Sequence, residues 1–86
     1  MTITLRLFAA AREAAGRGYD EYDPAVTPTI DALLDAASAA YGPAFVAVLG
    51  TSRIWVNGDE PDAGRATMLA DGDEVAVLPP VSGGIA

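Results

Sequence analysis

The 86-residue chain contains no cysteine, no histidine and no lysine, and its five cations are arginines at positions 6, 12, 17, 53 and 65. Without cysteine there is no disulfide framework, no thiolate nucleophile and no Cys-type metal site. Without histidine the commonest general base and the commonest metal ligand are missing. Without lysine there is no Schiff-base former and no side-chain amine to acylate. No apolar run approaches the roughly 20 residues that cross a bilayer, and no basic stretch with an apolar core opens the chain as a secretory signal would. The expectation is a cytoplasmic domain without a membrane partner. Twelve acidic residues give a net charge of -7, which argues against nucleic acid as a partner as well. What the chain does have is apolar content: 51% hydrophobic against 20% charged residues excludes a disordered polymer. The length leaves room for one domain with a small core, burying roughly 60% of its unfolded surface. Such a composition equips the chain poorly for side-chain catalysis.

The opening segment Thr2-Ile3-Thr4-Leu5-Arg6-Leu7-Phe8 alternates with period two. Ile3, Leu5 and Leu7 share one face of a half-buried strand, and Thr2, Thr4, Arg6 and Phe8 share the other. Alanine-rich 9–15 favours a short helix that Gly16 ends. Residues 19–23 read as a second short strand, against the poor strand propensity of aspartate. The main helix begins near Thr27 or Thr29, either of which can cap it, with Pro28 suited to a first helical position. Ile30, Leu33, Leu34, Ala37 and Tyr41 form its apolar stripe, and Gly42-Pro43 closes it. Phe45 to Leu49 reads as a compact linker packed under the core, or as one helical turn. Arg53-Ile54-Trp55-Val56 alternates again, Asn57-Gly58 marks a tight hairpin, and Pro61 reduces the return segment to a short edge strand. Residues 63–69 read as a loop anchored by Leu69, and Glu74 to Leu78 as the last strand. The order predicts an α+β fold, a mixed sheet of four or five strands with one main helix on one face. The other face is left for water or a partner. Residues 1–80 form the domain, and 81–86 a flexible tail.

Enzymatic and metal readings fail on these residues. Asp20-Glu21-Asp23 and Asp71-Asp73-Glu74 lack the ligand pattern of a calcium loop and read as solvated turns. No hydroxyl has a base to activate it, and no glycine pattern precedes a helix as a phosphate loop requires. The C-terminal segment is the remaining candidate. A glycine-rich end needs no function to explain it. Its context differs, because Pro79-Pro80 removes two donors and fixes φ, so that the chain leaves the last strand stiff and extended. Gly83-Gly84, lacking Cβ atoms, can then enter a channel too narrow for side chains. A main-chain carboxylate exposed there could be activated without any catalytic side chain on this protein.

The ordered stretches Leu7-Phe8-Ala9-Ala10-Ala11-Arg12-Glu13-Ala14-Ala15-Gly16, Thr29-Ile30-Asp31-Ala32-Leu33, Val56-Asn57-Gly58 and Leu69 through Gly84, ending Pro-Pro-Val-Ser-Gly-Gly, resemble the MoaD/ThiS family of sulfur carriers. Within it they are most similar to small subunits of molybdopterin synthase. The resemblance implies a ubiquitin-like β-grasp fold and a tail whose Gly84 is the reactive residue, with Gly83 giving access. It implies that a ubiquitin-activating-type adenylating enzyme (MoeB/ThiF-like) spends ATP to form an acyl-adenylate at Gly84. Sulfur transfer then yields a thiocarboxylate, which the tail carries into a large synthase subunit (MoaE-like) for molybdopterin synthesis. No cofactor is bound by the carrier itself. Carriers of this kind end at the second glycine, whereas here Ile85-Ala86 follow, which implies a processing peptidase or a chain that is not a carrier in this form.

The resemblance also places Phe8 and Leu78, with Ala76 between them, on an open sheet face that docks these partners. Arg6 rims that patch, and Pro79, Pro80 and Val81 lead from it. Trp55 is either a partner anchor or packed under the loop at 63–66. Three functional classes remain open: a sulfur carrier for molybdopterin, cysteine, thiamin or a specialised metabolite; a ubiquitin-like modifier; and an interaction module with an inert tail.

Overall fold

In the computed structural model, which describes residues 1–80, the strands are β1 (Ile3–Leu7), β2 (Tyr19–Tyr22), β3 (Arg53–Val56) and β4 (Glu74–Leu78). They form one sheet in the order β2-β1-β4-β3. The central pair β1 and β4 runs parallel, with Leu5 opposite Val75 and Leu7 opposite Val77, and both edge strands are antiparallel to their neighbours. Strand alternation therefore aligns Ile3, Leu5, Leu7, Val75 and Val77 on one face, and all five are buried. Three helices supply the opposing layer: α1 (Ala9–Ala15), α2 (Ile30–Tyr41) and α3 (Pro43–Leu49). Ala11, Ile30, Leu33, Leu34, Ala37, Phe45 and Leu69 close the core against the sheet. The mixed sheet and its single covered face are as the sequence predicts.

Local chemistry explains the boundaries. Thr29 is the cap of α2, its Oγ1 accepting from the Ala32 N–H at 3.1 Å. Thr27 is instead buried, its hydroxyl donating to the Asp23 carbonyl at 3.2 Å. Pro28 precedes the cap rather than opening the helix, because its carbonyl accepts from the Leu69 N–H at 2.8 Å and so ties the loop down. The segment after Gly42 is the two-turn helix α3, longer than the single turn the sequence allows and not a plain linker. Gly42, at φ 93°, breaks the chain direction, and Pro43 then starts a new helix where its missing N–H costs nothing. That turn puts Phe45 fully inside, edge-on to Tyr41 at 5.1 Å.

Asn57 and Gly58 both take positive φ, 52° and 86°, in a two-residue turn closed by Val56 and Asp59. The return segment does not become a strand: it makes a single bridge, Val56 to Asp59, before Pro61 diverts it. Asn57 serves the sheet instead, accepting from the Glu74 N–H at 2.9 Å and donating to Asp73 at 3.0 Å. Residues 81–86 lie outside the described residues, and with them the expected tail including Val81, Gly83 and Gly84.

Candidate functional site

Because all three helices cover one face, the other face of the sheet presents Thr4, Arg6, Glu74, Ala76, Leu78, Arg53 and Trp55. Arg6, Ala76 and Trp55 stand in one row across three strands, and Leu78 lies opposite Arg53 one step nearer the end of the sheet. Phe8, immediately after β1, is exposed at 42%, and Leu78 and Ala76 are half-buried. Phe8 and Leu78 each come one position after the paired Leu7 and Val77, and an aromatic side chain left this open has apolar surface to give to a contact. Arg6 is not free at the rim of this patch: its Nε donates to the Glu74 carboxylate at 2.9 Å across β1 and β4.

At the end of β4 the chain passes through half-buried Pro79 and exposed Pro80. Around them lies an open groove of about 350 Å³ lined by Thr51, Arg53, Trp55, Leu78, Pro79 and Pro80. Pro80, on the lip of this groove, stands four positions before Gly84 in the sequence. Trp55 lines this groove and also a second one, of about 230 Å³, shared with Pro61, Gly64 and Arg65 along the outer edge of β3. Its indole N–H is buried without an acceptor among the described residues.

Thr51 and Arg53 were not legible as site residues, since their place beside the tail's root depends on the antiparallel register of β3 against β4. The alternation that pairs Arg53 with Trp55 on one face was the available signal. Arg12 lies on α1 against the backbone of Gly18, its Nε 3.4 Å from the position a Cβ there would take. Asp71 and Asp73 are turn acceptors: Asp71 takes the Thr2 N–H at 2.7 Å, and Asp73 the Ala70 N–H at 2.9 Å.

A four-stranded mixed sheet grasping its helices on one face, with the last central strand running out into a diproline and a diglycine, defines a ubiquitin-like β-grasp domain. The ThiS family matches residues 5–84, so that the match ends on the second glycine, and the chain belongs to that family. It is 34% identical over 84 residues to the molybdopterin synthase sulfur carrier subunit of Chlamydomonas reinhardtii, covering 98% of this chain and all of that one. Among solved structures it is similar to small archaeal modifier protein 1 of Haloferax volcanii, with 33% identity, a TM-score of 0.81 and coverage of 98% of this chain and 100% of that one. The same modifier from Methanosarcina acetivorans matches with 30% identity and a TM-score of 0.82 over 96% of both chains. Among the described residues no helix is long and apolar enough to cross a membrane.

Proposed function

We propose that this chain is a cytoplasmic sulfur carrier serving molybdopterin synthesis, with Gly84 as the residue that carries the sulfur. A family match that runs to Gly84, on a fold whose open face and diproline exit surround the root of that segment, carries the reading. The name of the full-length relative from Chlamydomonas reinhardtii supports the pathway.

In this reading a ubiquitin-activating-type enzyme docks on Phe8, Ala76 and Leu78. The Gly84 carboxylate attacks the α-phosphate of ATP, releasing pyrophosphate and leaving an acyl-adenylate. Hydrosulfide from the sulfur source then displaces AMP, its sulfur bonding to the acyl carbon as the C–O bond to AMP breaks, and the resulting thiocarboxylate is delivered to a large synthase subunit. The nucleotide belongs to the enzyme, and the carrier contributes only its main chain. Gly84 is followed by a peptide bond to Ile85, so its carboxylate must first be released by a peptidase. β-Branched Ile85 is too stiff and wide for a passage shaped for two glycines.

The likeness to small archaeal modifier proteins favours a second reading, ligation of Gly84 to amines of other proteins. Intact mass spectrometry separates the two. The chain as given and a version ending at Gly84 are incubated with the adenylating enzyme encoded by the same genome, ATP and a sulfur source. The carrier reading expects an oxygen-to-sulfur mass increase on the shorter version alone. Covalent high-mass adducts in lysate without that increase would favour the modifier, and thiocarboxylation with Ile85-Ala86 still attached would remove Gly84 from the mechanism.

A further inference from the structure

Acidic residues outnumber arginines twelve to five, so an arginine without a carboxylate beside it is the exception in this chain. Arg6, Arg17 and Arg65 are each held by a carboxylate, at 2.9, 3.2 and 2.8 Å. Arg12 and Arg53 make no ion pair among the described residues, and both belong to the same end of the sheet. Arg53 opens β3 opposite Leu78, the last residue of β4. Arg12 follows β1 by one turn of α1 and lies against Gly18, which precedes β2. In the strand order β2-β1-β4-β3 the two arginines therefore stand on either side of the strand that leads into Pro79-Pro80. The opposite end collects acids: Asp23 follows β2, Asp59 and Glu60 follow β3, and Asp71 and Asp73 precede β4. Charge is biased along the strand axis: the end where β4 leads into Pro79 carries Arg12, Arg17 and Arg53 against Glu13 and Asp20, whereas the turns at the other end carry acids.

We propose that Arg53 and Arg12 form a cationic rim around the root of the tail that pairs with carboxylates bordering the activating enzyme's apolar seat for Phe8 and Leu78. This rests on the sulfur-carrier reading and adds the chemistry of the partner surface. An apolar centre with a charged border is the usual anatomy of a specific interface, and the border governs encounter more than affinity. With a net charge of -7, the chain as a whole is repelled by an acidic partner. Inside a Debye length of about 8 Å at physiological salt only the near pole is felt, so the pair is attracted in one orientation, tail foremost.

The test measures association of the form ending at Gly84 with the adenylating enzyme by stopped-flow fluorescence at low and high salt. Arg53→Glu should slow association about tenfold at low salt, with the difference closing at high salt. Arg53→Lys should stay close to the parent, Arg12→Glu should add to the effect, and Phe8→Glu should weaken binding at every salt concentration. Arg53 is exposed, and circular dichroism of each variant verifies the fold. The proposal falls if Arg53→Glu associates as fast as the parent or faster, or if Asp71→Asn slows association, which would mark a basic partner surface. In either case a retained Phe8→Glu effect leaves the sulfur-carrier reading standing. Absence of ATP–pyrophosphate exchange with every form overturns that reading, and this proposal with it.

Discussion

Tyr41 closes a chain of polar contacts at the edge of the core: its hydroxyl donates to Asp20 at 2.6 Å and accepts from the Tyr22 hydroxyl at 3.4 Å. Arg17 donates to the same Asp20 carboxylate at 3.2 Å and places its guanidinium 5.8 Å from the Tyr41 ring. Partial burial by itself raises the Asp20 carboxyl, but the Tyr41 hydroxyl, the Glu21 N–H and Arg17 outweigh it and hold the group below its ordinary 3.8. Burial, and then the hydrogen bonds to Asp20 and Tyr22, push the Tyr41 phenol far above its ordinary 10.0. The signs follow from the two ends. A lowered carboxylate stabilises above its unfolded value and loses that contribution as pH falls through the folded one. A raised phenol stabilises below its unfolded value and loses that contribution as pH rises past it. Tyr41→Phe should therefore cost about 1 kcal/mol near neutrality, the hydrogen bond being partly exposed to solvent. In urea titrations the difference from the parent should shrink below pH 4 and again above pH 10, and a gap constant with pH would deny the pair its role. Ala9 gives a second test. It enters α1 at φ 48°, where an L-residue other than glycine costs roughly 1–2 kcal/mol. Ala9→Gly relieves that cost but frees the unfolded chain by about 0.5–1 kcal/mol, so a gain of up to about 1 kcal/mol is expected. Ala10→Gly, inside the same helix, should lose about 1 kcal/mol. Equal losses at both positions would show that Ala9 is not strained.

At the scale of elements, α3 decides how large the core is. Phe45 is fully buried while Val46, its neighbour, is 48% exposed. Phe45→Ala should cost about 3–5 kcal/mol, a large share of the roughly 5–10 kcal/mol available to a domain of this size. Val46→Ala should stay within about 0.5 kcal/mol. Comparable denaturation midpoints for the two variants would mean that α3 does not pack as described. The alternating strands, the stripe of α2 and the Asn57-Gly58 turn were legible because each is a local pattern whose period or backbone preference survives folding. α3 was not, since seven residues between a glycine and a turn carry too little periodicity to separate a short helix from a packed linker. β2 looked poor because aspartate is disfavoured in strands, and the structure sets Asp20 opposite Leu5, on the core side of the sheet. Its partner, Tyr41, lies 21 positions away and is visible only once α2 is folded over the sheet. The same limit governs the site. Phe8, Ala76 and Leu78 follow from alternation within single strands, whereas Arg53 joins them through a register between strands that no local pattern encodes.

For the molecule as a whole, the bias of charge along the strands sets acids against one another at the turn end. Asp71 and Asp73 are two positions apart in one tight turn, with Asp59, Glu60 and Asp62 in the loop after the hairpin. The ion pairs that could offset this are surface contacts. Arg6 with Glu74 and Arg65 with Asp31 have side chains about half exposed, and such pairs contribute about 0–1 kcal/mol each. Added salt weakens both the repulsion and the pairs. With seven more acids than bases, the repulsive pairs are more numerous and the loss of repulsion should dominate. Raising sodium chloride from about 10 mM to about 150 mM should therefore stabilise the domain by about 0.5–1 kcal/mol, which at this size raises Tm by roughly 2–8 °C. Asp71→Asn separates the turn end from a general charge effect, although it also weakens the acceptor for the Thr2 N–H. Its Tm should gain less from salt than the parent's, because part of the repulsion is already gone. If Tm falls as salt is added, the ion pairs across β1–β4 and at α2 outweigh the crowded acids. The negative pole would then owe its stability to specific contacts rather than enduring its charge.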